Sequence, residues 1–262
     1  MATLSEYLNE TSLLLRDSNY LFNSQTTLTL YINRAREQTA KQTGCLRALV
    51  AGQAPFGNSA NPGQLIPGAG QPGSPIVQSF TTLVGVEKYS YGYINPFLKA
   101  NNAGYRSTMD IVDLAVSWGG NRPVLNWMPW EDLQAYARSY NVGVFSYPFL
   151  WSTNGSGTKG QFWLFPIPQV TQPGNAQFGA AGEIEADCTC LPTALYTDSD
   201  YDALPEPFTG AVKYYAAHLA FLGSQRFGMA AIMLNLFNDH LGIDNAASDR
   251  GKSDSYYYGW DY

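Results

Sequence analysis

Residues 202–241 read DALPEPFTGAVKYYAAHLAFLGSQRFGMAAIMLNLFNDHL and contain the longest helical pattern of the chain. Apolar and aromatic side chains recur along this stretch every three or four residues, which is the spacing of one helix face. The pattern predicts a single helix from about Pro207 to Leu241 that Gly242 ends. The residues of its apolar face are Ala211, Tyr214, Tyr215, His218, Phe221, Leu222, Gln225, Met229, Ile232, Met233 and Phe237.

Two further helices are predicted at the start of the chain, where apolar residues recur at nearly helical spacing. One covers residues 4–16, and the other covers residues 25–42, with Gly44 as its C-cap. Residues 17–24 form the turn of the resulting helical hairpin. We expect the hairpin to pack against the long C-terminal helix, because each would otherwise expose its apolar stripe.

The middle of the chain alternates apolar and polar residues, as is typical of half-buried strands. One helix interrupts this pattern at Pro129-Trp130, where a proline in the first turn is followed by two acids. The predicted strands cover 76–86, 112–118, 147–153, 161–167 and 183–190. Residues 51–75 contain six Gly, five Pro and no charged residue, so a long loop or a mobile insertion is expected there.

The order of these elements predicts an α+β fold. A helical bundle, made of the N-terminal hairpin and the long C-terminal helix, stands beside a small antiparallel β-sheet or sandwich, and an extended C-terminal tail follows. The expected divisions are the hairpin (1–50), the Gly/Pro-rich insertion (51–75), a β-rich domain with one helix (76–206), the bundle helix (207–242) and the aromatic tail (243–262).

The composition indicates a surface that other chains cover. Charged residues make up only 14% of the chain, below the usual quarter or so. Aromatic residues also reach 14%, with 18 Tyr and 6 Trp, and these suit surfaces that are partly apolar and partly wet. A Tyr-rich soluble domain would have the same composition. The net charge of -6 excludes a basic groove for nucleic acid.

The sequence also predicts synthesis in the cytoplasm. The first residues lack the basic and then apolar pattern of a signal peptide. No apolar run approaches the roughly 18 residues that a membrane span needs, so no membrane partner is expected. The three Cys are too few for a disulfide framework.

Catalysis is not expected, because the chain lacks clustered groups of tunable pKa. His218 lies among aromatic neighbours, as in a packed core, and His240 lies near the predicted end of a helix, where positive charge is favoured. Cys188 and Cys190 are too close in sequence for a zinc site and would point to one face of a strand. We therefore predict no catalytic residue, no cofactor and no metal.

One segment is strongly acidic. Between Lys159 and Lys213 there is no basic residue, and the acids there are Glu183, Glu185, Asp187, Asp198, Asp200, Asp202 and Glu206. A solvated acidic face would explain them. A calcium site is a further alternative, because the acids at 198, 200 and 202 alternate as in a calcium loop, although the Gly and the distal Glu of an EF-hand are missing.

Several stretches, taken in this order and spacing, resemble the head-to-tail adaptor proteins of tailed phages, the tail-tubular or phage adaptor type. They cover most of the chain, and the last is the most specific. They are YINRAR (31–36) closing at TGCLR (43–47), Trp130–Pro148 followed by Trp151, FWLFPIP (162–168), and DALPEPF (202–208), which leads into AVKYYAA (211–217) and SQR (224–226). The Gly/Pro-rich insertion and the aromatic tail are not among the stretches that resemble the family.

The resemblance implies a structural subunit of the virion neck without catalytic residues. Such a subunit forms a ring, with about twelve copies to match the portal. The ring binds the portal protein on one side and a downstream neck or tail protein on the other. Double-stranded DNA passes through its lumen without specific binding, and the acidic segment from Glu183 to Glu206 would line this channel or its mouth.

Two more contact segments are predicted. The insertion would form an irregular inter-subunit arm that lies on a neighbouring subunit or on the capsid, with Phe56, Leu65 and Ile66 as apolar anchors. The tail begins with a polar stretch and would anchor the ring to the portal through its aromatic end; the alternative is that the tail folds back on its own subunit. The residues of that end are Tyr256, Tyr257, Tyr258, Trp260 and Tyr262.

Two other functions remain open at this point. Another virion structural protein, such as a minor capsid or head-completion subunit, would share the composition. A receptor-binding or carbohydrate-binding tail module would also use Trp and Tyr, but such modules are usually all-β, and the predicted C-terminal helix argues against one.

Overall fold

The computed structural model describes residues 2–17, 19–51, 82–83, 85–101, 104–116, 123–139, 148–168 and 184–249. The helices are α1 (Leu4–Leu15), α2 (Gln25–Thr43), α3 (Asn95–Asn101), α4 (Trp130–Ser139), α5 (Glu206–Gly223) and α6 (Phe227–Asp249). The strands are β1 (Arg47–Ala51), β2 (Lys88–Ser90), β3 (Tyr105–Val116), β4 (Asn126–Trp127), β5 (Leu150–Asn154), β6 (Gln161–Phe165) and β7 (Ile184–Pro192).

The chain divides into two compact units, which we call the helical unit (Met1–Leu46 with Pro192–Tyr262) and the β unit (Arg47–Leu191). The helical unit holds α1, α2, α5 and α6, and the β unit holds the seven strands with α3 and α4. The predicted α+β class is confirmed. The divisions expected at 51 and 206 differ from these limits, because β1 pairs with β7 and residues 192–205 belong to the helical unit.

The N-terminal helical hairpin forms as predicted, and local signals explain its ends. Thr3 caps α1 reciprocally with Glu6: the Thr3 hydroxyl accepts the Glu6 N–H at 3.3 Å, and the Glu6 carboxylate accepts the Thr3 N–H at 2.9 Å. The Ser24 hydroxyl caps α2 by accepting the Thr27 N–H at 3.2 Å. Gly44 ends α2 in the left-handed conformation, with φ of 60°.

Helix α5 is the centre of the helical unit and packs against α1, α2 and α6. Its small side chains allow neighbouring helices to approach closely. The buried residues of α5 are Phe208, Ala211, Val212, Ala216, Ala217, Ala220 and Phe221. On α6, the side chains that pack against them are Ala230, Met233, Phe237 and Leu241.

The single C-terminal helix predicted over 207–241 is wrong, because the chain turns between α5 and α6. Gln225 adopts a left-handed φ of 60°. Its N–H donates to the Leu222 carbonyl at 3.1 Å, and the Arg226 N–H donates to the Phe221 carbonyl at 2.9 Å. These two bonds form a Schellman cap, which usually has Gly at the left-handed position. With Gln there instead, the sequence shows no sign of a helix end.

Helix α6 also runs further than predicted. Gly242 does not end it, because one Gly inside a helix costs only about 1 kcal/mol, and the helix continues to Asp249. His240 therefore lies inside a helix rather than at its C-terminus. Residues 243–249, which we predicted to be extended, are helical; the rest of the predicted tail lies outside the described residues.

The described part of the β unit contains two small sheets. The first has the strand order β1-β7-β3, and β1 is antiparallel to β7. The second has the order β2-β6-β5-β4, in which β6 is antiparallel to both neighbours and β4 is parallel to β5. The second sheet is therefore mixed, whereas we expected antiparallel pairing throughout.

Two local predictions in the β unit need correction. The extended segment expected over 76–86 forms no strand in its described part. The chain turns there at Gly85, which has a φ of 76° and donates its N–H to the Pro168 carbonyl at 2.7 Å. The region also holds two helices rather than one, because α3 precedes the predicted α4.

Helix α4 packs against the second sheet through aromatic side chains. Leu133 of α4 is buried with Leu150, Trp163 and Phe165 of the sheet. The rings of Trp130 and Trp163 lie 3.9 Å apart between centroids. This cluster is the core that two of the family-like stretches share.

Replacing Gln225 with Gly should raise the free energy of unfolding by about 1 kcal/mol, since Gly avoids the steric cost of the left-handed conformation. Gln225→Ala is the matched control and should give no such gain, because Ala retains a Cβ. Urea denaturation of the three proteins measures the difference. Equal stability of the Gly and Ala variants would contradict the strained turn.

Candidate assembly site

A buried ion pair joins α2 to the segment that precedes α5. The Arg36 Nη2 atom lies 2.6 Å from Asp202 Oδ1, and the two side chains are 1% and 0% exposed. The Tyr7 hydroxyl of α1 donates to Asp202 Oδ2 at 2.6 Å, and the Leu204 N–H donates to Oδ1 at 3.0 Å. Burial and the neighbouring Asp202 carboxylate raise the pKa of Tyr7, so its hydroxyl keeps its proton and remains a donor. Three parts of the helical unit thus meet at one carboxylate.

Two residues of α2, Asn33 and Arg36, also hold the first part of the segment from 193 to 205. Arg36 Nη1 donates to the Thr193 carbonyl at 2.8 Å. The Asn33 side chain exchanges two hydrogen bonds with the Leu195 backbone, both at 2.9 Å. Asn33 and Arg36 belong to the YINRAR stretch, and Asp202 begins the DALPEPF stretch. The first and the last of the family-like stretches are therefore in direct contact.

The acids of the helical unit lie in unlike surroundings. Asp202 is buried in the ion pair, so our prediction that it lines a channel is wrong. Asp200 closes its own turn by accepting the N–H groups of Tyr196 and Thr197, at 2.7 and 2.9 Å. Its bond from the Thr197 hydroxyl, more than those two, lowers the pKa of Asp200 to about 2. Asp198 and Glu206 are exposed.

This arrangement does not build a calcium site from the alternating acids. The Asp200 carboxylate faces Thr197, and the Asp202 carboxylate faces Arg36. Among the described residues, no group of three or more His, Cys, Asp or Glu side chains could hold a metal ion.

The acids of the β unit belong to the first sheet. Glu185 and Asp187 are half-buried on β7, and Asp187 pairs with Arg47 of β1. Asp113 of β3 lies outside the predicted acidic segment and interacts electrostatically with Asp187 and Arg47. Partial desolvation and then Asp187 raise the pKa of Asp113, while the hydrogen bond from the Leu114 N–H and, less strongly, Arg47 oppose them. Glu183 lies outside the described residues.

The His and Cys residues have structural surroundings. His218 places its Nδ1 atom 2.8 Å from the Ala230 carbonyl, which joins α5 to α6. Cys188 and Cys190 point to one face of β7 and are fully buried. Burial raises the pKa of both thiols, to about 12 for Cys190, so both stay protonated.

Helix α6 exposes apolar side chains on the face turned away from α5. Met229, Ile232 and Leu236 are 43%, 51% and 37% exposed, and residues 227–238 contain no charged side chain. We had assigned Met229 and Ile232 to the buried face, which is wrong. A helix that is apolar nearly all round buries only the side that another element covers. We call these three residues the α6 face.

The turn between α1 and α2 presents two more apolar side chains to solvent. Leu21 is 78% and Phe22 is 83% exposed. The Asp17 carboxylate accepts the N–H groups of Leu21, Phe22 and Asn23 at 2.8, 3.0 and 2.9 Å. Burial alone would raise the pKa of Asp17, but these three bonds together lower it. The hydrogen bonds to Asp17 therefore fix the backbone of the turn, while the side chains of Leu21 and Phe22 stay uncovered.

The remaining predicted site residues lie outside the described residues. They are the arm anchors Phe56, Leu65 and Ile66 and the aromatic residues Tyr256, Tyr257, Tyr258, Trp260 and Tyr262.

The described part of the chain combines exposed apolar faces with the buried polar contacts of Asn33, Arg36 and Asp202, which we call the buried frame. This combination is typical of a structural assembly protein. The family model described as SU10 adaptor protein matches residues 2–256. The chain belongs to this family and is a phage structural adaptor, which confirms the resemblance found in the sequence. Comparison with curated proteins gives no match. Among the described residues, no helix has the length and apolar character needed to cross a membrane.

Removing either partner of the buried pair should strongly destabilise the helical unit. Arg36→Met or Asp202→Asn should each cost about 3–5 kcal/mol, because each leaves a buried charge unpaired, and the double variant should cost less than the sum. Lys213→Met is the control, since Lys213 and Glu10 form a partly exposed pair that is worth less than about 1 kcal/mol. Urea denaturation of the wild type and these four variants measures the differences. If each single variant lost as little free energy of unfolding as the Lys213→Met control, the structural role of the Arg36–Asp202 pair would be refuted.

Proposed function

We propose that the chain forms a ring in the virion neck, with about twelve copies, that joins the portal to a downstream neck or tail protein. DNA leaves the head through the lumen of this ring. Membership of a phage adaptor family supports the proposal. The subunits are made in the host cytoplasm and assemble there.

The α6 face is the observation that carries this proposal. Exposed apolar side chains at 229, 232 and 236 follow one stripe of a helix without a charged residue between 227 and 238. Water contact with such a stripe is unfavourable, and a neighbouring subunit would remove it. The low charge of the whole chain supports extensive subunit contacts.

Acidic side chains suit a channel that DNA must slide through, because they repel phosphate. The exposed acids Asp198 and Glu206 and the half-buried Glu185 and Asp187 remain the candidates for that surface. Asp202 is excluded by its burial.

The ring is tested by changing the α6 face. Ile232→Glu should abolish self-association, since it places a charge in an apolar contact. Asn238→Glu adds the same charge at an exposed position of the same helix outside the α6 face and should leave the ring intact. Sedimentation and electron microscopy, with and without purified portal protein, measure the outcome. A wild-type chain that stays monomeric in both conditions would refute the proposed function.

We further propose that the aromatic tail anchors the ring to the portal and that the 51–75 arm contacts a neighbouring copy through Phe56, Leu65 and Ile66. Deleting residues 252–262 should leave the fold intact and weaken portal binding greatly, because five aromatic anchors per copy are lost and the ring multiplies each contact. Circular dichroism checks the fold, and surface plasmon resonance on immobilised portal measures binding. Unchanged affinity would contradict the anchor.

A further inference from the structure

Phe22 carries an exposed apolar ring on a backbone that hydrogen bonds hold in place. At 83% exposure it is the most exposed apolar aromatic side chain of the described residues. Its own backbone N–H is one of the three that Asp17 holds. The backbone that carries the ring is therefore held by hydrogen bonds, so less backbone freedom is lost when the ring binds, which favours a role as an interface anchor.

The β unit has a cavity of matching size between α4 and the second sheet. Its volume is about 150 Å³. Trp130, Leu133, Trp163 and Phe165 supply apolar walls, and Ala137 lies at the edge on α4. An apolar cavity of roughly 150 Å³ is large enough to hold a benzene ring. The cavity therefore fits the phenyl group of one Phe side chain.

We propose that Phe22 of one copy inserts into this cavity of the next copy. The inference rests on the proposed ring. A closed ring with head-to-tail contacts needs two different surfaces on each subunit, one that inserts and one that receives. The Phe22 ring and the cavity meet this requirement with apolar groups on both sides. The ring itself carries no polar group, whereas Glu87, Gln134 and Arg138 also line the cavity beside its apolar walls.

Disulfide cross-linking tests the contact directly. Phe22→Cys and Ala137→Cys copies are mixed and oxidised, and the expected product is a dimer that neither variant gives alone. A double Cys variant should give a ladder of covalent oligomers. Ala135→Cys replaces the other exposed Ala of α4, which does not line the cavity, and should not cross-link. The native thiol of Cys45 reacts slowly, because burial raises its pKa to about 11.

Two further variants measure the contribution of each side. Phe22→Ser should weaken self-association about 30-fold, the loss typical of an aromatic hot spot. Tyr196→Ser removes another exposed aromatic side chain of the helical unit, 79% exposed, and should change association little. On the receiving side, Ala137→Trp should fill the cavity and weaken association as strongly, whereas Ala135→Trp should not.

The outcomes separate this contact from the ring itself. Rings that form without a Phe22–Ala137 cross-link, and that tolerate Phe22→Ser, would overturn the inference while leaving the proposed function in place. A cross-link confined to single chains of the double variant would overturn it too. If a chain shortened by residues 252–262 lost the effect of Ala137→Trp, the aromatic tail would be the occupant and the inference would be wrong. A chain that never self-associates would overturn both proposals.

Discussion

The helical unit depends on the buried ion pair between Arg36 and Asp202. The two residues are 166 positions apart in the chain, yet their contact sets where α5 begins against α2. Two charges in an apolar interior are stable only when most of their remaining polar atoms are also bonded. Tyr7, Leu204 and Thr193 supply such bonds, and Arg36 Nε is left without one among the described residues. The arrangement favours one register of α1, α2 and α5 over others, because a shifted register would leave these groups unpaired.

This frame explains why the exposed surfaces can be apolar without collapsing onto their own chain. The Asp17 bonds hold Leu21 and Phe22 outward, and the α5–α6 packing leaves the α6 face on the outside. The fold and the proposed assembly contacts thus rest on different sets of residues. Buried polar bonds specify the fold, while uncovered apolar side chains remain for other chains.

Much of the fold could be predicted from the sequence, because its signals are local. The hairpin and its Gly44 cap, the start of α4 at Trp130 and the strand alternation of β7 all depend on neighbouring residues. The break at Gln225 could not be predicted, since a Schellman cap without Gly leaves no mark in the sequence. The α3 helix and the turn at Gly85 could not be predicted either, because each is too short to leave a periodic pattern in the sequence.

The site was harder to predict than the fold. Asp202 looked like one more acid of a charged segment, and only its contact with Arg36 shows that it is structural. Periodicity placed Met229 and Ile232 in the core, but it cannot tell which part of an all-apolar helix another element covers. The family stretches, which indicated the right class of protein, contain residues of the buried frame and of the α4 core.

Amide hydrogen exchange compared between the dilute free chain and its complex with portal tests the central claim most directly, namely that these uncovered surfaces are the assembly surfaces. The account predicts that residues 19–23 and 229–236 exchange more slowly in the complex, while residues 33–36, already enclosed by the buried frame, change little. Equal exchange at 19–23 and 229–236 in the two states would contradict it.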